Sequence, residues 1–266
     1  MIKDSLKKGF EVLFSSFPVL FAWIVLQGAV YFFLNVSLLG DKQQDGEIPS
    51  ITPLGIMGIG LWILWIIAYL YMRAGTLAYV RDKINLERAT FSSFLSLGRE
   101  YFFPLVRFSL AFCSLLLLLT IGVALLFFAI LAFMEATTEV PSSQMIMMGL
   151  GTGFFSTIVL VNVCFYFLML YAPTILVADE LKAFAAMKSS AAIACKWFKK
   201  TWGLALLFLL IYSINGTLSF ISYNVFSGGI QIALLAVSAV FAAFAEVYLT
   251  AVIMNCYLRI KTLELK

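Results

Sequence analysis

Histidine is absent from this 266-residue chain, and charge is scarce: only 12% of residues are Asp, Glu, Lys or Arg. The first absence removes the usual general base, proton shuttle and favoured metal ligand. The second excludes an ordinary soluble domain, in which about 25% of residues are charged and about 45–50% apolar; here 63% are hydrophobic. A single core in a chain of this length cannot hide that excess, so much of it faces lipid. Cysteine is limited to Cys113, Cys164, Cys195 and Cys256, with no C-x-x-C spacing. Each reads as a small buried hydrophobe and not as half of a disulfide or a zinc ligand. There is no glycine-rich phosphate loop and no G-x-S-x-G turn, and the serines have no histidine to activate them. The sequence therefore shows no catalytic residue, no metal site and no cofactor site.

What the sequence does contain is apolar runs of membrane-crossing length. Six are expected, from about Pro18 to Leu39, Leu54 to Tyr71, Pro104 to Met134, Met145 to Tyr171, Thr201 to Phe226 and Gly229 to Tyr257. The lysines before the first run imitate a signal peptide. That run is too long for an h-region and lacks an A-x-A site, which predicts a retained span. Polar loops (Gly40 to Pro53, Glu135 to Gln144) and a Ser227-Gly228-Gly229 turn close three hairpins. Gly55, Gly58 and Gly60 open the second run and allow close contact with another helix.

Ahead of each hairpin lies an amphipathic stretch. In residues 2–16, Ile2, Leu6, Phe10, Leu13 and Phe17 share a face. In the second, N-capped by Thr90, Phe91, Phe94, Leu95, Gly98, Tyr101 and Phe102 do so. In the third, Ala183, Phe184, Met187, Ala191, Ala194, Phe198 and Trp202 oppose a polar stripe of Lys182, Ser189, Lys196 and Lys200. Of the 18 Lys and Arg, only Lys42 falls in an outer loop, beside Asp41, Asp45, Glu47, Glu135 and Glu139. The positive-inside rule then puts both termini and all three amphipathic helices in the cytoplasm, so the net charge of +4 is a topology signal that calls for no nucleic acid.

The amphipathic stretches start near Lys3, Thr90 and Asp179, an even spacing. Ala74-Gly75-Thr76-Leu77 also matches Ala172-Pro173-Thr174-Ile175, and Ser92-Ser93 matches Ser189-Ser190. The expected fold is thus an all-α integral membrane protein, a single membrane domain over 1–266. Its three helix-plus-hairpin repeat units would span 2–80, 81–171 and 172–258. Three two-span repeats are similar in number to mitochondrial carriers, but the short helix lies outside each hairpin and the Pro-x-acidic-x-x-basic motif is missing.

Pro173, Asp179, Glu180, Ala186, Lys188, Ser189, Ser190, Lys196, Lys200 and Trp202 form a pattern of proline, acid, Ala-x-x-x-Ser, bases and a new apolar run. It resembles a group of prokaryotic membrane proteins that includes the membrane domain fused to some glycerophosphodiester phosphodiesterases and standalone six-span relatives. The resemblance implies a bacterial inner-membrane location and a link to lipid or envelope metabolism. The soluble metal-dependent barrel of those fusions has no counterpart here, so their activity does not carry over.

Two groups of residues stand out as candidate sites. Glu246 lies 11 residues before Tyr257, about 16 Å along a helix and near the middle of a core about 30 Å thick. Ala239, Ala242, Ala243 and Thr250 share its face, which turns it into the bundle. It is either a proton- or cation-coupled site with Asn162, Tyr166 or Asn215 as neighbours, or a neutral acid that bonds another helix. Gln27 and Asn35 read as interhelical hydrogen-bond donors. Lys182, Lys196 and Lys200 either bind anionic lipid headgroups, at about 1 kcal/mol each, or form a solvated face. The expectation is a non-enzymatic inner-membrane protein acting through membrane lipids or beside a membrane-protein partner. The alternative is a small transporter or permease-like subunit built on Glu246.

Overall fold

Every ordered element is a helix among the described residues of the computed structural model, whose backbone is described over 2–41, 53–86, 89–137, 144–226 and 228–264. Side chains are described over 2–30, 59–86, 89–133, 151–222, 225–226 and 228–264. The helices are α1 (Ile2–Ser15), α2 (Phe17–Asp41), α3 (Pro53–Leu86), α4 (Phe91–Thr137), α5 (Gln144–Leu168), α6 (Ala172–Ala178), α7 (Ala183–Lys196), α8 (Phe198–Asn224) and α9 (Gly228–Glu264). Five are long and apolar enough to cross a membrane: α3, α4, α8, α9 and the stretch from α5 into α6. The α1–α2 pair, bent by 82° at Ser16, supplies a sixth if counted as one span. The chain is therefore a multi-pass membrane protein.

The hydrophobic core lies towards the charged ends of the helices. It joins Val12 and Leu13 of α1, Trp23 of α2, Ala74 to Val80 of α3, Tyr171 to Val177 at α6, and Val247 to Tyr257 of α9. Helix α9 is the hub and packs on α1, α2, α3, α6 and α8. Along α4 the picture reverses: Leu117, Leu118, Leu125, Leu126, Phe128 and Phe133 are all exposed. Water would not tolerate so continuous an apolar surface, whereas hydrocarbon covers it without penalty.

Several boundaries differ from the expected ones, each for a physical reason. Helix α3 runs on through Arg73 to Leu86, because Ala74, Leu77, Ala78 and Val80 are buried and reward continued helix. Helix α4 fuses the second amphipathic stretch to the third apolar run, with Pro104 inside. Proline removes one backbone donor there, but the buried Tyr101, Leu105 and Phe108 hold the turns on either side. The Thr90 cap is present and reciprocal: Ser93 N donates to Thr90 Oγ1 (3.2 Å) and Thr90 N to Ser93 Oγ (3.0 Å).

On α1 the buried stripe is Ser5, Gly9, Val12 and Leu13, while Phe10 and Phe14 are exposed, as is Phe17 at the start of α2. The buried stripe is thus rotated from the expected face, of which Leu13 is buried and Leu6 packs against the core while Phe10 and Phe17 stay outside. Gly9 explains the rotation, because any Cβ there would come within 2.6 Å of Val252 on α9. On α7, Ala186, Met187, Ser190 and Ala194 are buried while Phe184 is exposed, and Phe198 and Trp202 of the expected face fall on α8, also exposed.

Gly60, expected to admit a close helix, has open space where a Cβ would stand. Cys256 is buried as expected, but Cys113, Cys164 and Cys195 sit on the outside of the bundle. Lys42, Asp45, Glu47, Glu139 and Ser227 lie outside the described residues, as do the side chains of Asn35 and Glu135 and the packing around Gly55 and Gly58.

Between α5 and α6 the helix breaks, and Pro173 restarts it in the first turn. Ser190 of α7 mends the gap. Its Oγ donates to Leu168 O (2.7 Å) and accepts from Tyr171 N (3.2 Å), pairing two backbone groups that the break would leave orphaned.

Candidate functional site

Glu246 is 7% exposed on α9, beside the buried Ala239, Ala243 and Thr250. Two tyrosine hydroxyls donate to its Oε1, Tyr69 of α3 at 2.8 Å and Tyr212 of α8 at 3.0 Å. Arg73, one turn after Tyr69 and on the same face, donates from Nη1 to the Tyr69 hydroxyl at 2.9 Å. A relay therefore runs from guanidinium to phenol to carboxylate. Trp23 edges the Tyr69 ring at 5.4 Å and donates to Thr76 Oγ1 at 2.8 Å, while Trp65 packs on the same ring at 5.5 Å. The Trp65 indole N–H is buried without an acceptor among the described residues. The carboxylate is enclosed by aromatic walls, with a cation two hydrogen bonds away through Tyr69.

The polar residues expected around Glu246 lie elsewhere. Asn162 donates to Ile158 O within its own helix (2.7 Å). Tyr166 is exposed and packs edge-on against Phe112. Asn215 accepts from Ser238 (2.9 Å), which in turn pairs with Ser219 (2.9 Å). That hydroxyl–amide cluster joins α8 to α9 two turns before Glu246. The residues that do reach Glu246 are Tyr69 and Tyr212, with Arg73 behind Tyr69. The i, i+4 spacing of Tyr69 and Arg73 was the available sequence signal.

A second relay of the same composition sits at the rim. Arg81, eight residues after Arg73 on α3, donates from Nη1 to the Tyr101 hydroxyl (2.8 Å) and to Val177 O (2.9 Å). Tyr101 donates to Glu180 Oε1 (3.0 Å). Glu180 has a left-handed backbone, φ +54°, an unfavourable state for a residue with a Cβ that the surrounding contacts must hold in place. Next to it, Asp179 accepts from Tyr257 (2.6 Å) and Lys261 (2.8 Å) of α9. At the start of α1, the guanidinium of Arg259 lies 2.8 Å from Asp4 and holds that carboxyl below its usual range.

The three expected headgroup lysines separate into two kinds. Lys196 pairs with Glu264 at 2.8 Å, and Lys200 stands over the Trp197 ring at 3.9 Å. Lys182, by contrast, lines a cavity of about 470 Å³ between α4 and the α6–α7 link, together with Arg107, Glu100 and Glu180. A neighbouring cavity of about 440 Å³ holds Asp179, Lys196, Lys261 and Glu264, whose charges pair with one another.

Comparison with protein-family models, with curated proteins and with solved structures returns no match.

Proposed function

We propose that this chain is a non-enzymatic protein of the bacterial inner membrane. It crosses six times, keeps both termini in the cytoplasm, and works through phospholipid contact at its cytoplasmic rim, alone or beside a membrane-protein partner. The resemblance around Pro173 to Trp202 is consistent with that setting. One observation carries the reading. Helix α1 turns 82° away from α2 and exposes Phe10 and Phe14 (74% exposed) on the same side as the exposed Lys3 and Lys7, opposite the buried Ser5, Gly9 and Val12. A side that mixes phenylalanine with lysine suits the headgroup region, where the rings meet acyl chains and the lysines reach up to the phosphates. Glu246 supports the structural half of the proposal. An enclosed carboxylate with two donors and a backing arginine ties α3, α8 and α9 together.

The test is sidedness together with lipid dependence. Single cysteines at Lys3 and Thr262, placed in a version with the four native cysteines replaced, label with an impermeant maleimide only in inside-out vesicles. The detergent-purified protein is also expected to melt at higher temperature when phospholipid of any class is restored. Labelling from the outside, or a melting temperature indifferent to lipid, contradicts the proposal.

One observation favours the transporter alternative. Tyr212, a direct donor to Glu246, is itself 43% exposed. Cation or proton flux in proteoliposomes that disappears in Glu246→Gln would establish that alternative.

A further inference from the structure

The cavity at the α4/α6–α7 junction has the shape and charge of an amphiphile site. Glu100, Pro104, Arg107 and Ala111 line it from one stripe of α4 at intervals of four, three and four residues. That stripe spans about 16 Å of helix, with its charged side chains in the first two turns and alanine at the far end. Across from it stand Glu180, Lys182 and the apolar Leu176, Leu181 and Phe184. Neither Arg107 nor Lys182 makes an ion pair within 4.0 Å among the described residues, although Glu100 and Glu180 line the same cavity. Two cations and two carboxylates thus line one space; Glu180 is already held by Tyr101 (3.0 Å) and Arg81 (4.0 Å), while Glu100 makes no ion pair within 4.0 Å among the described residues. The wall they stand on is built and not incidental. Tyr101 and Arg81 pin Glu180 in its left-handed conformation, and this sets the link that carries Lys182 into α7.

We propose that this cavity binds a zwitterionic aminophospholipid. Its phosphate would lie on Arg107 and Lys182, its primary ammonium on Glu100 and Glu180, and its acyl chains along Pro104, Ala111, Leu176 and Phe184. Guanidinium and ammonium groups form charge-assisted bonds to phosphate oxygens. A primary ammonium brings three N–H donors for the carboxylates, and a choline headgroup brings none. An anionic headgroup would leave both carboxylates facing negative charge, so selectivity against it is built in. The site is the specific form of the lipid contact proposed above and rests on that reading.

The experiment is native mass spectrometry of the full chain, delipidated and then offered equal amounts of phosphatidylethanolamine, phosphatidylcholine and phosphatidylglycerol. The wild-type protein is expected to retain the ethanolamine lipid about tenfold more tightly than either competitor. The double variant Arg107→Gln/Lys182→Gln is expected to lose that retention about tenfold, and Glu100→Gln/Glu180→Gln to keep phospholipid while losing the preference. Lys196→Gln serves as a control that changes neither. Soluble glycerophosphoethanolamine should fail to displace the lipid, because the apolar wall contributes only when acyl chains are present. Equal retention of all three lipids by the wild type, a silent Arg107/Lys182 variant, an unchanged preference in the Glu100/Glu180 variant, or displacement by the soluble headgroup would each overturn the assignment. The wild-type competition needs no variant, so a misfolded mutant cannot mask the answer. General stabilisation by lipid without any selectivity would sink this site and leave the broader reading standing.

Discussion

The molecule uses one arrangement twice, with opposite exposure. Arg73, Tyr69 and Glu246 form an arginine–tyrosine–carboxylate relay inside the bundle, and Arg81, Tyr101 and Glu180 form another at the rim. Both arginines come from α3, about 12 Å apart along the helix. Glu246 is 7% exposed, whereas the Glu180 side chain is 71% exposed. Out of water, a carboxylate and a guanidinium each depend on the other, and removing either leaves an uncompensated charge. At the rim, solvent and headgroups replace any partner that is lost. Chemistry that locks helices together in one place is therefore free to meet a ligand in the other.

Breaking the inner relay should have the largest effect. Arg73→Leu is expected to cost about 3–5 kcal/mol in detergent unfolding, because it strands the Glu246 carboxylate. Arg81→Leu, whose partners include an exposed carboxylate and one backbone carbonyl, is expected to cost about 1–2 kcal/mol. Equal losses in the two variants would erase the distinction drawn between the relays.

A smaller effect is expected where α7 meets the α5–α6 break. Ser190→Ala leaves Leu168 O and Tyr171 N without their partner and should cost about 1–2 kcal/mol, read as a lower melting temperature. A neutral result would mean that water fills the gap. The smallest effect belongs to Lys196→Gln. Its pair with Glu264 is largely exposed, so a change of no more than about 0.5 kcal/mol is expected, shrinking further in high salt.

Much of this architecture could be read from the chain itself. Long apolar runs made the helices legible, and Glu246 stood out as the carboxylate deepest within a run. Thr90 was legible as a cap from its residue type ahead of an apolar-periodic stretch. What escaped was set by packing. Arg73 closes an apolar run, where the positive-inside rule already accounts for it, so its turn into the bundle left no trace in composition. Tyr212 is one of many aromatics in α8 and is singled out only by the helix beside it. The faces of α1 and α7 rotated because Gly9 and Ser190 are buried through close approach and backbone bonding. Hydrophobic periodicity records neither of these. The cavity holding Arg107 and Lys182 needs α4 and the α6–α7 link side by side, a juxtaposition no local pattern encodes.

The division of labour between the relays can be put to a single comparison, with Glu246→Gln and Glu180→Gln measured side by side for melting temperature and for retained phosphatidylethanolamine. Glu246→Gln is expected to lower the melting temperature clearly with lipid retention unchanged per folded molecule, and Glu180→Gln to melt near the wild type with reduced lipid preference. The reverse pattern, or both variants losing stability and lipid together, would contradict that division.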